Sequence, residues 1–260
     1  MERFLEVAIN AAKGAGIIQK KSLGKRLKIE HKGEIDLITD IDKKSEKYII
    51  KMIKSNFPEH GLLTEESYKD SLEADYLWVI DPLDGTTNYA HGYHCFSISI
   101  ALIIKGEIIV GVVYDPIRKE LFSAIKGKGA YLNNKPIHVS SVSKVVDSLL
   151  CTGFPYDLHT SEINNLDHFL NMMMVAQAIR RDGSAALDLC YTACGRFDGF
   201  WELKLKPWDV MAGVLIVLEA GGKVTDFAGE PFDKTGIEIL ATNGLVHHEM
   251  SRILLKGKRP

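Results

Sequence analysis

Apolar side chains recur with a helical period over the first part of the chain. Between residues 1 and 22 they fall on one stripe, and a second stripe runs from Thr39 to Phe57. Repetition at i, i+3 and i+4 is the pattern of an amphipathic helix with one buried face. The pattern therefore predicts two helices, over 1–22 and from about Thr39 to Phe57, with Pro58 ending the second.

After residue 75 the helical period gives way to short apolar runs bounded by turn residues, which are typical of buried strands. In the first half these runs predict strands over 76–80, 95–104, 108–114, 121–125 and 130–132. The second half alternates, with predicted strands over 149–152, 197–203, 223–226 and 238–242. Between them the pattern predicts helices over 161–176, 184–194, 207–221 and 244–255.

This order of elements predicts a layered α+β or α/β protein. No internal repeat or low-complexity linker interrupts the chain, so we expect one domain over residues 1–260. The β-rich first half and the helix-alternating second half predict two lobes. The N-terminal lobe covers about 1–140 and the C-terminal lobe about 141–260.

The composition narrows the classes of function. Lys and Arg number 32 against 34 Asp and Glu, and 46% of the residues are hydrophobic. Proteins that coat nucleic acid or an anionic membrane usually show a basic excess, so we expect neither partner here. The four cysteines contain no CxxC pair, and the longest apolar runs are too short for a membrane span. Since the start of the chain also lacks a secretory apolar segment, we expect a cytoplasmic protein.

The segment from Asp81 to Thr87, Asp-Pro-Leu-Asp-Gly-Thr-Thr, contains the most specific chemistry. Asp81 and Asp84 stand three residues apart at the end of an apolar strand, and a glycine follows that allows close approach of a ligand. Carboxylate oxygens suit Mg²⁺, and the N–H groups at a helix start suit phosphate. The same residue types also form ordinary turns, so this segment alone leaves a turn and a cation site open.

Three further acidic positions strengthen the cation hypothesis, although two of them have a simpler alternative. Glu65 follows an apolar pair, and Asp209 follows Pro207 at a predicted helix start, where an acid usually complements the helix dipole. Asp42 lies three residues after Thr39, which is nearly the spacing and chemistry of a capping box. Local sequence therefore leaves helix capping and catalysis open for Asp42.

In combination, these segments resemble the signatures of the inositol monophosphatase family, in the same order along the chain. The matching segments are Thr64-Glu65-Glu66, Trp78 to Asn88, Arg181 to Ala186, Asp198 to Glu202, and Pro207-Trp208-Asp209 with Gly221-Gly222. The resemblance implies an αβαβα sugar-phosphatase fold, in which mixed and mainly antiparallel sheets are sandwiched by helices. It also implies a Mg²⁺-dependent, Li⁺-sensitive phosphatase.

The resemblance assigns the reacting groups as follows. Two or three Mg²⁺ ions are held by a ligand set of Glu65, Asp81, the Leu83 carbonyl, Asp84 and Asp209. Thr86, hydrogen-bonded to Asp42, activates the attacking water, and Glu65 is the third catalytic residue. The phosphate lies on the amides of Gly85 and Thr86.

The resemblance also implies a substrate side of the site. Its predicted contacts with the substrate hydroxyls are Asp84, Gly183, Ser184, Ala185 and Glu202. The segment from His31 to Glu34 matches a mobile loop near the metals. One position departs from the family pattern, because Met211 stands where a small residue is usual. A side chain of that size facing the site would change the packing beneath Asp209.

The leading hypothesis is a phosphomonoesterase that hydrolyses inositol monophosphate and related small sugar phosphates without a covalent intermediate. Two alternatives keep the chemistry and change the substrate, to fructose 1,6-bisphosphate or to the 3′-phosphate of a nucleotide bisphosphate. A third alternative is of another class, namely an accessory protein that acts on transcription or RNA processing through protein partners. The resemblance also implies a homodimer.

Overall fold

The computed structural model describes residues 1–25, 27–31, 37–70, 74–233 and 237–256, and these form five alternating layers of helix and sheet. Most of the segment from His31 to Glu34, which matched a mobile loop in the sequence, lies outside the described residues. In the part of the chain described, no helix is both long enough and apolar enough to cross a membrane.

The first layer consists of the two helices predicted from the opening pattern. Helix α1 spans Glu2–Ser22 and helix α2 spans Asp40–Asn56. Their apolar stripes pack on each other and on one face of the larger sheet. A two-stranded ribbon, β1 (Ile29–His31) and β2 (Leu37–Thr39), leads into α2.

The larger sheet has seven strands in the order β3-β4-β5-β6-β7-β8-β9. Only its first pair is parallel, and all other neighbours are antiparallel. The strands are β3 (Gly61–Thr64), β4 (Tyr76–Asp84), β5 (Ser97–Ile104), β6 (Glu107–Asp115), β7 (Glu120–Ile125), β8 (Ala130–Leu132) and β9 (Lys135–Ile137). A short helix, α3 (Thr86–Ala90), follows β4 directly.

The smaller sheet has five strands in the order β11-β10-β12-β14-β13. Strand β10 runs parallel to both of its neighbours, and the remaining pairs are antiparallel. The strands are β10 (Leu149–Thr152), β11 (Ala178–Arg180), β12 (Gly199–Leu203), β13 (Lys223–Thr225) and β14 (Glu238–Thr242). The mixture of parallel and antiparallel pairs agrees with the predicted α+β class.

Helices α5 (Ala185–Ala193) and α6 (Pro207–Glu219) lie between the two sheets and are buried on nearly every side. Helices α4 (Leu166–Met173) and α7 (His247–Leu254) cover the outer face of the smaller sheet. The layers are therefore helix, sheet, helix, sheet, helix, and the predicted αβαβα fold is confirmed. Helix α6 contacts strands of both sheets.

The predicted helix over 161–176 is the largest error in the element assignment. Helix α4 begins only at Leu166, because Asn165 adopts a left-handed conformation with φ of 71°. The Asn165 amide donates to the carbonyl of Gly153 at 2.6 Å, which holds this conformation in place. Periodicity also missed the three-residue strands β1, β2, β9 and β11, since so few residues leave no readable pattern, although it found β8 and β13.

Candidate active site

Strand β4 extends beyond its predicted end at residue 80 and places both motif aspartates in the sheet. It continues through Pro82 to Asp84, and its pairing with β5 shifts register between Asp81 and Asp84. An irregularity of this kind bends a strand and redirects its side chains. The Asp81 carboxylate accepts a hydrogen bond from the Leu83 amide at 2.9 Å. Asp81 and Asp84 are buried and both pair with β5, so this part of the segment is strand and the turn alternative is wrong.

Two hydrogen bonds to main-chain carbonyls bring Glu65 and Asp209 to the same strand end. The Glu65 amide, just after β3, donates to the carbonyl of Ile80 at 3.2 Å. Ser99, which pairs with Asp81, donates its hydroxyl to the carbonyl of Trp208 at 3.0 Å. Glu65 and Asp209 therefore approach Asp81 from opposite sides, one from the neighbouring strand and one from the start of α6.

The four carboxylates repel one another electrostatically. Burial raises the pKa of Asp81 well above its usual range, and the charges of Glu65, Asp84 and Asp209 raise it further. The pKa of Asp209 is likewise raised by desolvation and by Glu65 and Asp84, although the Lys206 amide donates to this carboxylate at 2.6 Å. Burial without a compensating cation is costly for such a group of acids. The all-oxygen donor set therefore fits a hard divalent cation.

Asp42 caps α2 and also contacts Thr86 of the motif. One carboxylate oxygen accepts from the amide of Thr39 at 2.9 Å and closes the capping box of α2. The other oxygen accepts from the hydroxyl of Thr86 at 2.8 Å. Asp42 is fully buried, and this burial raises its pKa while the hydrogen bonds from Thr39 and Thr86 oppose the rise. One side chain thus both starts a helix and orients a hydroxyl of the site.

Gly85 makes the tight link between β4 and α3. Its φ is 92°, in the left-handed region that favours glycine. A Cβ at this position would lie 2.9 Å from the carbonyl oxygen of Cys95 and 3.2 Å from that of Gly183. Both neighbours are backbone atoms, so the position has neither the conformation nor the space for a side chain.

The predicted substrate segment packs directly against Asp84. Ser184 donates its hydroxyl to Asp84, and the amide of Ala186 donates to the same carboxylate oxygen at 3.0 Å. Burial raises the pKa of Asp84 to about 6, while these hydrogen bonds oppose the rise. Gly183 directly precedes Ser184 in the chain and has a φ of 82°, in the left-handed region. Ala185 follows Ser184 at the start of α5 and is buried.

Glu202 is a buried acid on β12 on the same side of the site. Burial raises its pKa to about 8, Arg181 opposes the rise, and Asp84 adds to it. A Cβ on Gly153 would lie 2.2 Å from the Glu202 carboxylate, so the glycine provides the space that this side chain fills. Met211, the departure from the family pattern, is fully buried in the core between the sheets.

Sequence reasoning gave no role to Asn88, although its position lies within the matching motif. Its amide donates to three carbonyls, those of Cys95 at 2.7 Å, Asp182 at 2.8 Å and Gly183 at 3.3 Å. This side chain therefore ties the loop after α3 to the Ser184 segment. Spacing offers no signal for such a role, because the three acceptors are main-chain groups from two distant segments.

Comparisons with known proteins agree with the fold. The model of the inositol monophosphatase family matches residues 1–256. The inositol-1-monophosphatase of Synechocystis sp. is 44% identical over 256 residues, which cover 98% of this chain and 89% of that protein. The Nus factor SuhB of Pasteurella multocida is 42% identical over 257 residues, covering 97% and 96%. The inositol monophosphatase structure from Anabaena (Nostoc) sp. PCC 7120 superposes with a TM-score of 0.90 at 44% identity, covering 98% of this chain and 96% of that one.

Proposed function

The chain belongs to the inositol monophosphatase family, and from this we propose that it is a Mg²⁺-dependent phosphomonoesterase. Its substrates are inositol monophosphate and related small sugar phosphates, and its products are the free alcohol and phosphate. The observation that supports this most directly is the convergence of Glu65, Asp84 and Asp209 on Asp81 at the end of β4. Buried carboxylates whose charges raise one another's pKa in this way are suited to binding a cation.

Asp81 is placed to contact two ions, since acidic side chains flank it on both sides. Glu65, Asp81 and the Leu83 carbonyl would hold one Mg²⁺, and Asp84 and Asp209 would hold a second together with Asp81. Glu65 is half-buried, which leaves it able to share a third ion with solvent. When bound, Mg²⁺ supplies positive charge to the phosphate oxygens and lowers the pKa of the attacking water.

The protein's own groups orient the attack. The Thr86 hydroxyl lies within hydrogen-bond distance of Asp42, at 2.8 Å, and of the Leu83 carbonyl, at 3.0 Å. When it donates its single hydrogen bond to either acceptor, its oxygen can still accept a hydrogen bond from the attacking water. Asp42 is fixed in turn by the capping hydrogen bond from Thr39. The amides of Gly85 and Thr86, at the start of α3, would hold the phosphate. This arrangement needs no covalent nucleophile.

The substrate side favours a polyhydroxylated alcohol. Glu202 offers a buried acceptor, and Gly183, Ser184 and Ala185 line the approach to Asp84. Fructose 1,6-bisphosphate and a nucleotide 3′-phosphate remain the alternative substrates, and both would require cations for a second anionic group. Arg180 and Arg181 are exposed, the charge of Arg181 acts on Glu202, and either arginine would serve that purpose.

Three further properties follow from the family and complete the proposal. We propose that Li⁺ inhibits the enzyme by competing at the Mg²⁺ positions, and that the enzyme is a homodimer in the cytoplasm. Free thiols at all four cysteines agree with a reducing compartment. Relatives named Nus factor SuhB also support a second candidate, a role in transcription through protein partners.

A phosphate-release screen tests the proposal. The protein is assayed with Mg²⁺ on inositol 1-phosphate, fructose 1,6-bisphosphate and a nucleotide 3′,5′-bisphosphate. Asp84→Asn and Asp209→Asn each remove one ligand charge, and Asp147→Asn, at an exposed position far from the motif, is the matched control. We expect the control to retain full turnover and both site variants to lose it. Full Mg²⁺-dependent release by either site variant would refute the assignment.

A further inference from the structure

A second group of ligand-type side chains lies behind the substrate segment. The Cys151 sulfur and one carboxylate oxygen each from Asp182 and Asp188 lie within 4.8 Å of one another. They come from β10, from the loop after β11, and from α5. Strand β10 pairs in register with β11, placing Cys151 opposite Arg180 and hence close to Asp182. None of the three residues belongs to the proposed Mg²⁺ site.

Asp188 is the unusual member of this group. It is 1% exposed, and the Cys151 thiol lies within hydrogen-bonding reach of its carboxylate, but its Oδ1 atom accepts no hydrogen bond from any described residue. Burial and the charges of Asp182 and Glu202 raise the pKa of this carboxyl well above its usual range. Buried carboxylate oxygens are nearly always satisfied in proteins, so an unpartnered one needs a specific partner. A cation shared with Cys151 and Asp182 would provide it.

The donor set distinguishes this position from the Mg²⁺ site. Mg²⁺ takes oxygen ligands, whereas a thiolate selects a softer ion such as Zn²⁺. Zinc–ligand bonds of about 2.0–2.3 Å require neighbouring ligand atoms to stand roughly 3.3–3.7 Å apart in a tetrahedral site. The present separations allow this with small side-chain movements. Asp182 is half-buried, and it offers the ion a path from solvent.

We propose that Cys151, Asp182 and Asp188 form a Zn²⁺ site separate from the Mg²⁺ site, with a fourth position open to water. Binding would transfer the thiol proton, and any proton on Asp188, to solvent. Since Asn88 fixes the carbonyls of Asp182 and Gly183, the ion would brace the segment that presents Ser184 to Asp84.

Spectroscopy with Co²⁺ as the probe tests the site without relying on activity. The full-length protein is titrated with Co²⁺ in excess Mg²⁺, which keeps the four-carboxylate site occupied. We expect a thiolate-to-cobalt charge-transfer band that saturates at one Co²⁺ per chain and disappears when Zn²⁺ is added. Cys151→Ser should abolish the band. Cys190→Ser, which changes another fully buried thiol, should retain it.

Two further variants complete the test. Asp182→Asn alters a half-buried position, and we expect it to weaken Co²⁺ binding by at least the roughly 10–100-fold that loss of a ligand's supporting hydrogen bond costs. Circular dichroism verifies that each variant is folded. Asp209→Asn should keep the band, because it changes only the Mg²⁺ site. Absence of the band in the unmodified protein, its persistence in Cys151→Ser, or its loss in Asp209→Asn would overturn the proposal.

Discussion

Replacing Gly85 with alanine tests whether the link between β4 and α3 must be a glycine. The substitution adds a methyl group to a residue with φ of 92°, next to two carbonyl oxygens. The left-handed conformation costs a non-glycine residue about 1–2 kcal/mol. The 2.9 Å approach to the Cys95 carbonyl adds a steric cost, because a backbone atom cannot rotate away as a side chain would. Overpacking of this kind costs about 1–3 kcal/mol more.

Gly92→Ala provides the matched control. Gly92 also has a left-handed φ, of 68°, but a Cβ there would meet no atom within 4 Å. The free energy of unfolding of Gly92→Ala should therefore fall only by the conformational cost, about 1–2 kcal/mol. The difference between the two variants isolates the clash at the site. Because Gly85 precedes Thr86, we also expect kcat to fall by up to about 100-fold in Gly85→Ala, the cost of a displacement near 1 Å.

Urea unfolding and phosphate release at saturating Mg²⁺ measure the two effects. A shift in the unfolding midpoint at constant slope reports the change in stability. We expect the midpoint to fall more in Gly85→Ala than in Gly92→Ala, and kcat to fall in Gly85→Ala alone. Equal midpoints and equal turnover in the two variants would refute the reasoning that the Cys95 and Gly183 carbonyls exclude a side chain.

Three other predictions concern the polar groups of the site. Thr86→Val should lower kcat by about 10²–10⁴-fold, because it removes the hydroxyl that Asp42 orients. Thr86→Ser keeps a hydroxyl and should retain most of the unmodified kcat. Equal kcat values for the two variants would contradict this role of the hydroxyl. Excess Mg²⁺ should raise the melting temperature of the unmodified protein but not that of Asp81→Asn. At a Mg²⁺ concentration 100 times Kd, binding should add about 2.7 kcal/mol to the free energy of unfolding. If Asp81 were no ligand, calorimetry would show an equal gain in the two proteins. The pKa of Glu202 is raised to about 8 in the folded state, compared with about 4.5 in the unfolded state, so the folded state binds more protons between these pH values. In EDTA, the free energy of unfolding should therefore fall as the pH rises from about 4.5 to 8. In urea titrations, Glu202→Gln should reduce the slope of unfolding free energy against pH by up to about 1.4 kcal/mol per pH unit. Equal slopes in the variant and the unmodified protein would count against a buried, protonated Glu202.

The sequence predicted the elements whose periodicity is long and one-sided. Helices α1 and α2 were found within a residue or two, because a buried stripe repeats over several turns. The hairpin strands β5 and β6 were found because each is a continuous apolar run bounded by turn residues. The failure at α4 has a tertiary cause. Asn165 holds a left-handed conformation through a hydrogen bond to Gly153, which belongs to a loop after another strand.

The motif residues were also readable from sequence, since Asp81, Asp84 and Gly85 stand within one short, specific segment. Their convergence with Glu65 and Asp209 was not readable from spacing, and only the resemblance suggested it. It depends on the parallel pairing of β3 with β4 and on the contact between Ser99 and the start of α6. Strand pairing and layer packing act between residues that are distant in the chain, so local patterns do not encode them.

Asp42 illustrates the division most clearly. The sequence by itself determined the capping box, because Thr39 and Asp42 lie in one turn of the chain. Only the tertiary structure decided that the second carboxylate oxygen meets Thr86, which lies 44 positions further on. The same division holds for Cys151, Asp182 and Asp188, whose grouping depends on the packing of β10, the loop after β11 and α5. Residue types determine which chemistry is available, and packing determines which of those groups act together.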